Sequence, residues 1–436
     1  MMSDALQTLF EPKSISLVGA SELTGEDAIY STHFHYLVQN VSSYRKGKIH
    51  LVDLSGKLEG SFKSINNLRT GLDLVLVLLP EKLLTRNLQK LLSRQPRAMV
   101  IMESELREAE ELIKAAKRKK MTIIGPGSIG IVNTQNGLSA ISEKASILRG
   151  HVAIVSQDSC IARSVLNFAA VTGISKLINI GDSLGTDESE VLSYLSQDKE
   201  TKVICIYLKR IRNGRKFVEA MAATVAKKPV IVLSSYPDNR GIFEAAVKQS
   251  GGILVQDLQE MLNGATALAK QPPLPGERVA IIANVSGPAE LLEKYLSKMG
   301  MAPAQPSMET LEKIKEKHPR AELSGFVHLG RSAKGDIWKQ AAELLLSDKE
   351  VDGLIAVNSM GFTLFNLEDL RKVTEIAKKT REKPVLAVTL CASDGAAFRE
   401  IAARSELPIY TDLEDAAKAM NVLRSRGKQI RKFLKD

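Results

Sequence analysis

Short runs of Val, Ile and Leu recur along this chain with helix-period segments between them, and no other feature restricts its fold as strongly. A strand buried on both faces has no polar side to show. It therefore reads as a continuous apolar run, and parallel sheets covered by crossover helices are where such strands occur. The runs fall into three series. Ile15–Val18, Lys48–Val52, Leu74–Leu78, Ala98–Met102 and Thr122–Ile124 predict a five-stranded first sheet. Val152–Val155, Lys176–Ile180, Val203–Leu208, Val230–Leu233 and Ile253–Val255 predict a second. Val279–Ala283, Phe326–Leu329, Leu354–Val357, Val385–Val388 and Pro408–Tyr410 predict a third. The expected fold class is α/β, with three parallel-sheet domains over 1–146, 147–272 and 277–436. A chain of 436 residues suits such a division, since single cores rarely serve more than roughly 250 residues.

Between the second and third series, Gln271-Pro272-Pro273-Leu274-Pro275-Gly276 sets three prolines within four positions, which removes backbone donors and predicts a linker. The flanking series share features that suggest duplication. Each opens on Val-Ala-Ile, at Val152 and Val279, and each later enters a strand through Lys-Pro-Val, at Lys228 and Lys383. With 44% hydrophobic and 25% charged residues the chain can bury real cores, which excludes disorder. No run of about 18 apolar residues and no basic-then-apolar leader is present, so neither a membrane span nor a signal peptide is expected. Cys160, Cys205 and Cys391 lie far apart, which predicts neither a disulfide framework nor a metal site and suits a reducing cytoplasm. The net charge of +10 favours anionic ligands without choosing among them.

Ligands of open parallel sheets collect beyond the carboxyl ends of the strands. The first such loop is Gly19-Ala20-Ser21-Glu22-Leu23-Thr24-Gly25, where glycine admits a close ligand and Ser21 or Thr24 can donate to phosphate oxygens. A tight strand-to-helix turn requiring small residues explains it equally well, and Glu26 and Asp27 disfavour a phosphate nearby. Leu79-Pro80 and Ile124-Gly125-Pro126-Gly127-Ser128-Ile129-Gly130 belong at the same sheet end. Asp53 ends the second strand, where a ribose-binding acid often sits; a polar strand end is the plainer alternative.

Taken with the domain succession, these loops resemble the alpha-type part of NDP-forming acyl-CoA synthetases, relatives of the succinyl-CoA synthetase alpha subunit. The resemblance rests on Leu9-Phe10-Glu11-Pro12-Lys13-Ser14-Ile15 leading into Val18-Gly19-Ala20-Ser21, and on Ile124-Gly125-Pro126 with Gly130, similar to an IGPNxxG segment. It rests also on Ser156-Gln157, similar to an SQSG loop, on Tyr207 with Ile211, Gly214 and Arg215, and on Lys228-Pro229-Val230-Ile231-Val232-Leu233. It implies a Rossmann-like CoA-binding domain followed by two flavodoxin-like domains. CoA or acyl-CoA would be held around Gly19, Ala20, Ser21, Gly25, Asp53, Pro80, Gly125, Pro126 and Gly130. It also implies a phosphohistidine carrier, an ATP-grasp beta-type partner subunit and a homo- or hetero-oligomer.

Several positions depart from that pattern. The loop after the KPVIVL strand, Ser234 through Glu244, holds no histidine, and Lys209 stands where YxEGI supplies a glutamate to orient the phosphohistidine. Gly127 replaces the asparagine of IGPNxxG, Asp158-Ser159 replaces the end of SQSG, and Ser324-Gly325-Phe326-Val327 replaces an NPxD-type turn. His33 and His35 lie two apart on a predicted helix and so face different directions, while His50, His151, His318 and His328 read as packing or surface residues. Cys160 opens a predicted helix and is a candidate nucleophile, with a small buried side chain as the plainer reading. The expected function is therefore a CoA- or acyl-CoA-binding homologue without phosphohistidine-dependent ligase activity. The alternatives are a working acyl-CoA ligase or acyl transferase subunit, or nucleic-acid binding through Lys114–Lys120 and the tail Arg424–Lys435. Both basic runs suit solvated helix ends better, so nucleic acid is not the expected partner.

Overall fold

The computed structural model describes residues 2–102, 109–235, 240–361, 363–379, 382–391 and 395–433. Two compact units, Met1–Leu254 and Val255–Asp436, divide the chain.

The first unit holds two sheets. Strands β1 (Ser14–Gly19), β2 (Lys48–Asp53), β3 (Leu74–Val77), β4 (Ala98–Met102) and β5 (Thr122–Ser128) run parallel in the order β2-β1-β3-β4-β5. Both faces are buried, which is why the strands read as unbroken apolar runs: Leu17, Leu76 and Val100 enter one core, and Val18, Val77 and Ile101 enter the other. The chain then makes an antiparallel hairpin, β6 (Gly130–Asn133) and β7 (Leu138–Ile141), whose turn carries Asn136-Gly137 with Gly137 at φ +79°. That hairpin belongs to the second sheet. There, β8 (Arg149–Ser156), β9 (Ile174–Asn179), β10 (Val203–Leu208), β11 (Val230–Ser234) and β12 (Ile253–Leu254) give the order β12-β11-β10-β8-β9-β6-β7. The segment 1–146 thus contributes strands to two sheets, because β6 pairs with β9 through Ile131, Val132 and Asn133.

In the second unit, β13 (Arg278–Ala283), β14 (Ala302–Pro303), β15 (Glu322–Ser324), β16 (Phe326–His328), β17 (Gly353–Ser359), β18 (Val385–Leu390) and β19 (Ile409–Tyr410) form the order β15-β16-β13-β17-β18-β19, with β14 paired to β13. Trp338 packs on one face of this sheet, and the helix Leu413–Phe433 covers the other. The proline-rich segment expected to be a linker is irregular but folded into this unit. The Gln271 side chain donates to Glu406 O at 2.9 Å and accepts from Val385 N at 2.9 Å, and Leu274 is fully buried. Its prolines end the helix Leu258–Lys270, as they must, yet the packing of that helix on Leu413–Phe433 places it in the same unit.

All three sheets share one succession of parallel strands, second-first-third-fourth-fifth. The Lys-Pro-Val repeat has a physical cause in both flavodoxin-like domains. Lys228 Nζ reaches Leu195 O and Asp198 O at the end of the helix Glu188–Gln197. Lys383 Nζ likewise reaches Leu346 O at 2.8 Å and Asp348 O at 2.6 Å, at the end of the helix Gly335–Ser347. In each case an ammonium satisfies helix-terminal carbonyls that have no partner within the helix.

Candidate functional site

In a sheet of this strand order the crevice opens where the chain reverses direction of build-up, between the first and third strands. In the first sheet that point lies beyond β1 and β3, and Gly19, Ala20, Ser21 and Pro80 stand there. Asp53 ends β2 directly beside Gly19. Its side chain is completely buried and accepts six hydrogen bonds. Oδ1 takes Ser21 N at 2.8 Å, Ser55 N at 3.1 Å and Ser55 Oγ at 2.6 Å. Oδ2 takes Ser21 Oγ at 2.7 Å and the N–H groups of Lys57 and Leu58, each at 2.8 Å. Burial opposes the charge, but the hydrogen bonds from Ser55, Ser21 and Leu58 outweigh it and hold the carboxyl far below the usual carboxylate range. Both oxygens are occupied, so Asp53 shapes the turn rather than presenting an acid to a ribose. The Ser21 hydroxyl is similarly engaged.

Gly19 is required for packing: a Cβ there would lie 2.2 Å from the Phe34 ring. Phe34 belongs to the helix Ala28–Ser42, which also sets His35 Nε2 3.1 Å from Ser21 O. The outer part of the turn, Thr24 and Gly25, is exposed, and Gly25 has φ +64° with open space around it.

Gly125, Pro126 and Gly130 are placed differently. With β3 and β4 lying between β1 and β5, about 14 Å of sheet separates their loop from the Gly19 turn. The loop is wired to the second sheet instead. Ser128 Oγ donates to Asn179 O at 2.5 Å, Ile129 N donates to Asn179 Oδ1 at 2.7 Å, and Asp182 N donates to Pro126 O at 3.1 Å. A Cβ on Gly125 would meet Ile101 O at 2.3 Å, and one on Gly130 would meet Ala140 O at 1.9 Å. Close backbone approach explains both glycines without a ligand.

The second sheet has its own reversal point, between β8 and β10. Gln157 spans it: its Oε1 accepts Lys209 N at 2.7 Å and Arg210 N at 2.9 Å, and its Nε2 donates to Arg210 O at 2.9 Å. Asn284 does the same beyond β13, exchanging hydrogen bonds with Ser359 N at 2.9 Å and Ser359 O at 3.0 Å. Sequence reading singled out Gln157 as a match but missed the clamp and Asn284 altogether; the common Val-Ala-Ile that begins five residues earlier in each case was the available signal.

Two departures noted in the sequence meet here. Lys209 Nζ lies 3.3 Å from Asp158 Oδ2, and Asp158 also caps the helix Ser159–Ser164 through Ile161 N at 3.0 Å. Burial opposes ionisation of Asp158, but the Ile161 N–H and the Lys209 ammonium hold its carboxyl below the usual range. Lys209 and Asp158, each a departure from the pattern the sequence resembles, are thus paired with one another. Lys209→Glu should set two carboxylates against each other and lower unit-one stability by about 1 kcal/mol, the scale of a half-exposed pair. The double variant Asp158→Ser/Lys209→Glu, which keeps a capping hydroxyl, should recover most of the loss in thermal unfolding.

Cys160 is exposed, whereas Cys205 is buried and burial drives its thiol above the ordinary range. Asp158, two residues before Cys160, is already committed to the cap and to Lys209. The histidines are dispersed. His33 Nδ1 sits 2.6 Å from Ser142 O and 3.3 Å from Glu143, His50 stacks on Phe62, His151 Nδ1 sits 3.0 Å from Glu200 O, and His328 lies 3.4 Å from Glu322. The loop at 236–239 lies outside the described residues. In the basic tail, Arg424 donates to Gly300 O, Lys428 pairs with Glu277 and Arg431 reaches Pro275 O, while Lys435 lies outside the described residues. Lys119 reaches Leu92 O at 3.1 Å; the side chain of Lys117 lies outside the described residues. Among the described residues, no helix is long and apolar enough to cross a membrane.

A small-residue turn at the reversal point of the first sheet, followed by two flavodoxin-like sheets with amide-clamped reversal points, makes this an α/β chain similar to the succinyl-CoA synthetase alpha type. Family models agree: that for a CoA binding domain matches residues 13–134, and that for a succinyl-CoA ligase like flavodoxin domain matches 149–241. The chain is a homologue of the alpha subunits of ADP-forming acetate–CoA ligases. It is 28% identical to the acetate–CoA ligase [ADP-forming] II subunit alpha of Pyrococcus furiosus, covering 98% of both chains. A crystal structure of a Pyrococcus horikoshii protein, 29% identical, superposes with a TM-score of 0.86 over 98% of this chain and 99% of that one. The dinucleotide-forming acetyl-coenzyme A synthetase 1 of Ca. Korarchaeum cryptofilum, in complex with phosphate and ADP, shares the fold. It is 22% identical, with a TM-score of 0.87 and coverage of 99% and 98%.

Proposed function

We propose that this chain binds CoA or acyl-CoA as an alpha-type subunit that no longer carries out phosphohistidine-dependent ligation, and that it serves as a regulatory or partner subunit. The observation that carries this reading is the Lys209–Asp158 ion pair at the carboxyl end of the second sheet. Where the family pattern orients a phosphohistidine with a glutamate, this chain has an ammonium that cannot accept a hydrogen bond from an imidazole N–H. The segment Ser234–Glu244 supplies no histidine to be oriented. The binding half of the pattern persists. Gly19, Ala20 and Ser21 form a turn braced by Asp53, with Thr24 and Gly25 exposed to receive the ADP moiety of CoA and Pro80 on the adjoining strand end. Gly125, Pro126 and Gly130 support that domain from its joint with the second sheet.

A working ligase or acyl-transferase subunit paired with an ATP-grasp beta-type partner is the second reading, favoured by the end-to-end match to a subunit alpha. Calorimetric titration of CoA, acetyl-CoA and ADP tests the first reading. CoA at a hundredfold excess over its Kd should raise stability by about 2.7 kcal/mol, and absence of any CoA heat at millimolar concentration overturns it. Incubation with labelled ATP, phosphate and a beta-type partner tests the second, because an acid-labile phosphoprotein would show that a carrier histidine operates after all.

A further inference from the structure

The third sheet has a gap in its edge. β14 pairs with β13 at Arg278 and Val279, and β16 pairs with it only from Ile282 onward, so Ala280 and Ile281 lie between two neighbours that do not meet. A cleft of about 470 Å³ opens there, within the range of small-molecule sites. Apolar side chains from five elements line it, Pro303, Leu311, Leu323, Phe326 and Leu345, with Gln305 and Ser324 adding polar groups. The floor includes Ser324-Gly325-Phe326, the turn that departs from the family's NPxD pattern.

Glu293 is the one charged residue among the described lining residues. It projects from the helix Ser286–Lys298 and is half-buried, and its carboxylate makes no hydrogen bond or ion pair among the described residues. A Cβ at Gly325, where φ is +69°, would come within 3.0 Å of Glu293 Oε1, so glycine there lets the carboxylate lie against the turn. Burial, with Glu290 beside it, pushes the Glu293 carboxyl above its ordinary value. A half-buried acid without a partner beside apolar walls is unfavourable, and a cation is the ligand that offsets that cost.

We infer that this cleft is a binding site for an organic ammonium, with the cation paired to Glu293 and its hydrocarbon part lying on Leu311, Leu323 and Phe326. The site lies entirely within the second unit.

The test is calorimetric titration of the full chain with hexylammonium, hexanol and hexanoate, repeated on Glu293→Gln. The amine should bind about tenfold or more tightly than the alcohol, and Glu293→Gln should remove that preference while leaving the weak alcohol affinity. Because Glu293 is half-exposed and unpaired, the variant should fold, which a matching thermal transition verifies. Equal affinity for amine and alcohol, binding of hexanoate in preference to both, amine affinity untouched in Glu293→Gln, or no binding by any probe would each overturn the assignment.

Discussion

Asp53→Asn is expected to cost about 3 kcal/mol and to lower the melting temperature of the first unit by roughly 6–12 °C. The asparagine keeps one acceptor oxygen but turns an NH2 toward a face where Ser21 Oγ and the Lys57 and Leu58 N–H groups all donate. Donor would face donor in a position without solvent. CoA affinity should fall with it, because the Gly19–Ser21 turn loses its brace while no contacting atom is removed. The sign of the pH dependence follows from the depressed carboxyl. Its stabilising contribution is complete above the ordinary carboxylate range and is lost as pH falls through the lower folded value. The difference between wild type and Asp53→Asn should therefore be flat from pH 6 to 8, as unfolding transitions would show, and should shrink under strong acid. A variant that melts like the wild type at neutral pH would mean that the six hydrogen bonds are not what holds this turn.

Gly130→Ala should be more damaging still. Gly130 has φ +117°, and the added methyl would meet Ala140 O at 1.9 Å and Met102 Cε at 2.8 Å. Met102 can yield, but Ala140 O is backbone in the facing strand of the hairpin. The two strands must separate, with a loss of about 4 kcal/mol or more and a melting shift of roughly 8–16 °C. Gly25→Ala is the informative control. Gly25 also has positive φ, at +64°, yet nothing lies within 4 Å of its would-be methyl, so only the local backbone cost of about 1 kcal/mol applies. If Gly130→Ala unfolds no earlier than Gly25→Ala, the joint between the two sheets is not the rigid contact described above. If Gly25→Ala instead weakens CoA binding without lowering stability, that glycine faces the ligand.

The parallel strands were legible because burial on both faces writes them as unbroken apolar runs. The strands that escaped notice are short and antiparallel or marginal: four residues each in the hairpin, three in β15, two in β14. Asn136-Gly137 is a hairpin signal that went unread, and nothing local to it tells which sheet the hairpin joins, since Ile131 pairs with Ile178. Proline chemistry correctly ended the helix before Gln271, but it could not show that Gln271 and Leu274 would find partners at Val385, Glu406 and Leu423. The site divides in the same way. Gly19 and Ser21 were visible as small residues after a strand, whereas the role of Asp53 depends on where its lone pairs point. Lys209 and Asp158 were each visible as departures; only the parallel pairing of β8 with β10 brings them within reach of one another.

The hairpin has a consequence for how this chain must be made. Its arm leaves the ribosome before β8 and β9 exist, so the first 141 residues emerge with β6 exposing hydrogen-bonding groups whose partner is completed only at Asn179. At ordinary elongation speeds that interval lasts about 2–8 seconds. During it the hairpin carries an open edge at β6, and its seat on the helix Ala28–Ser42, where Asn40 donates to Ile141 O and Glu143 O, holds it in place until translation catches up.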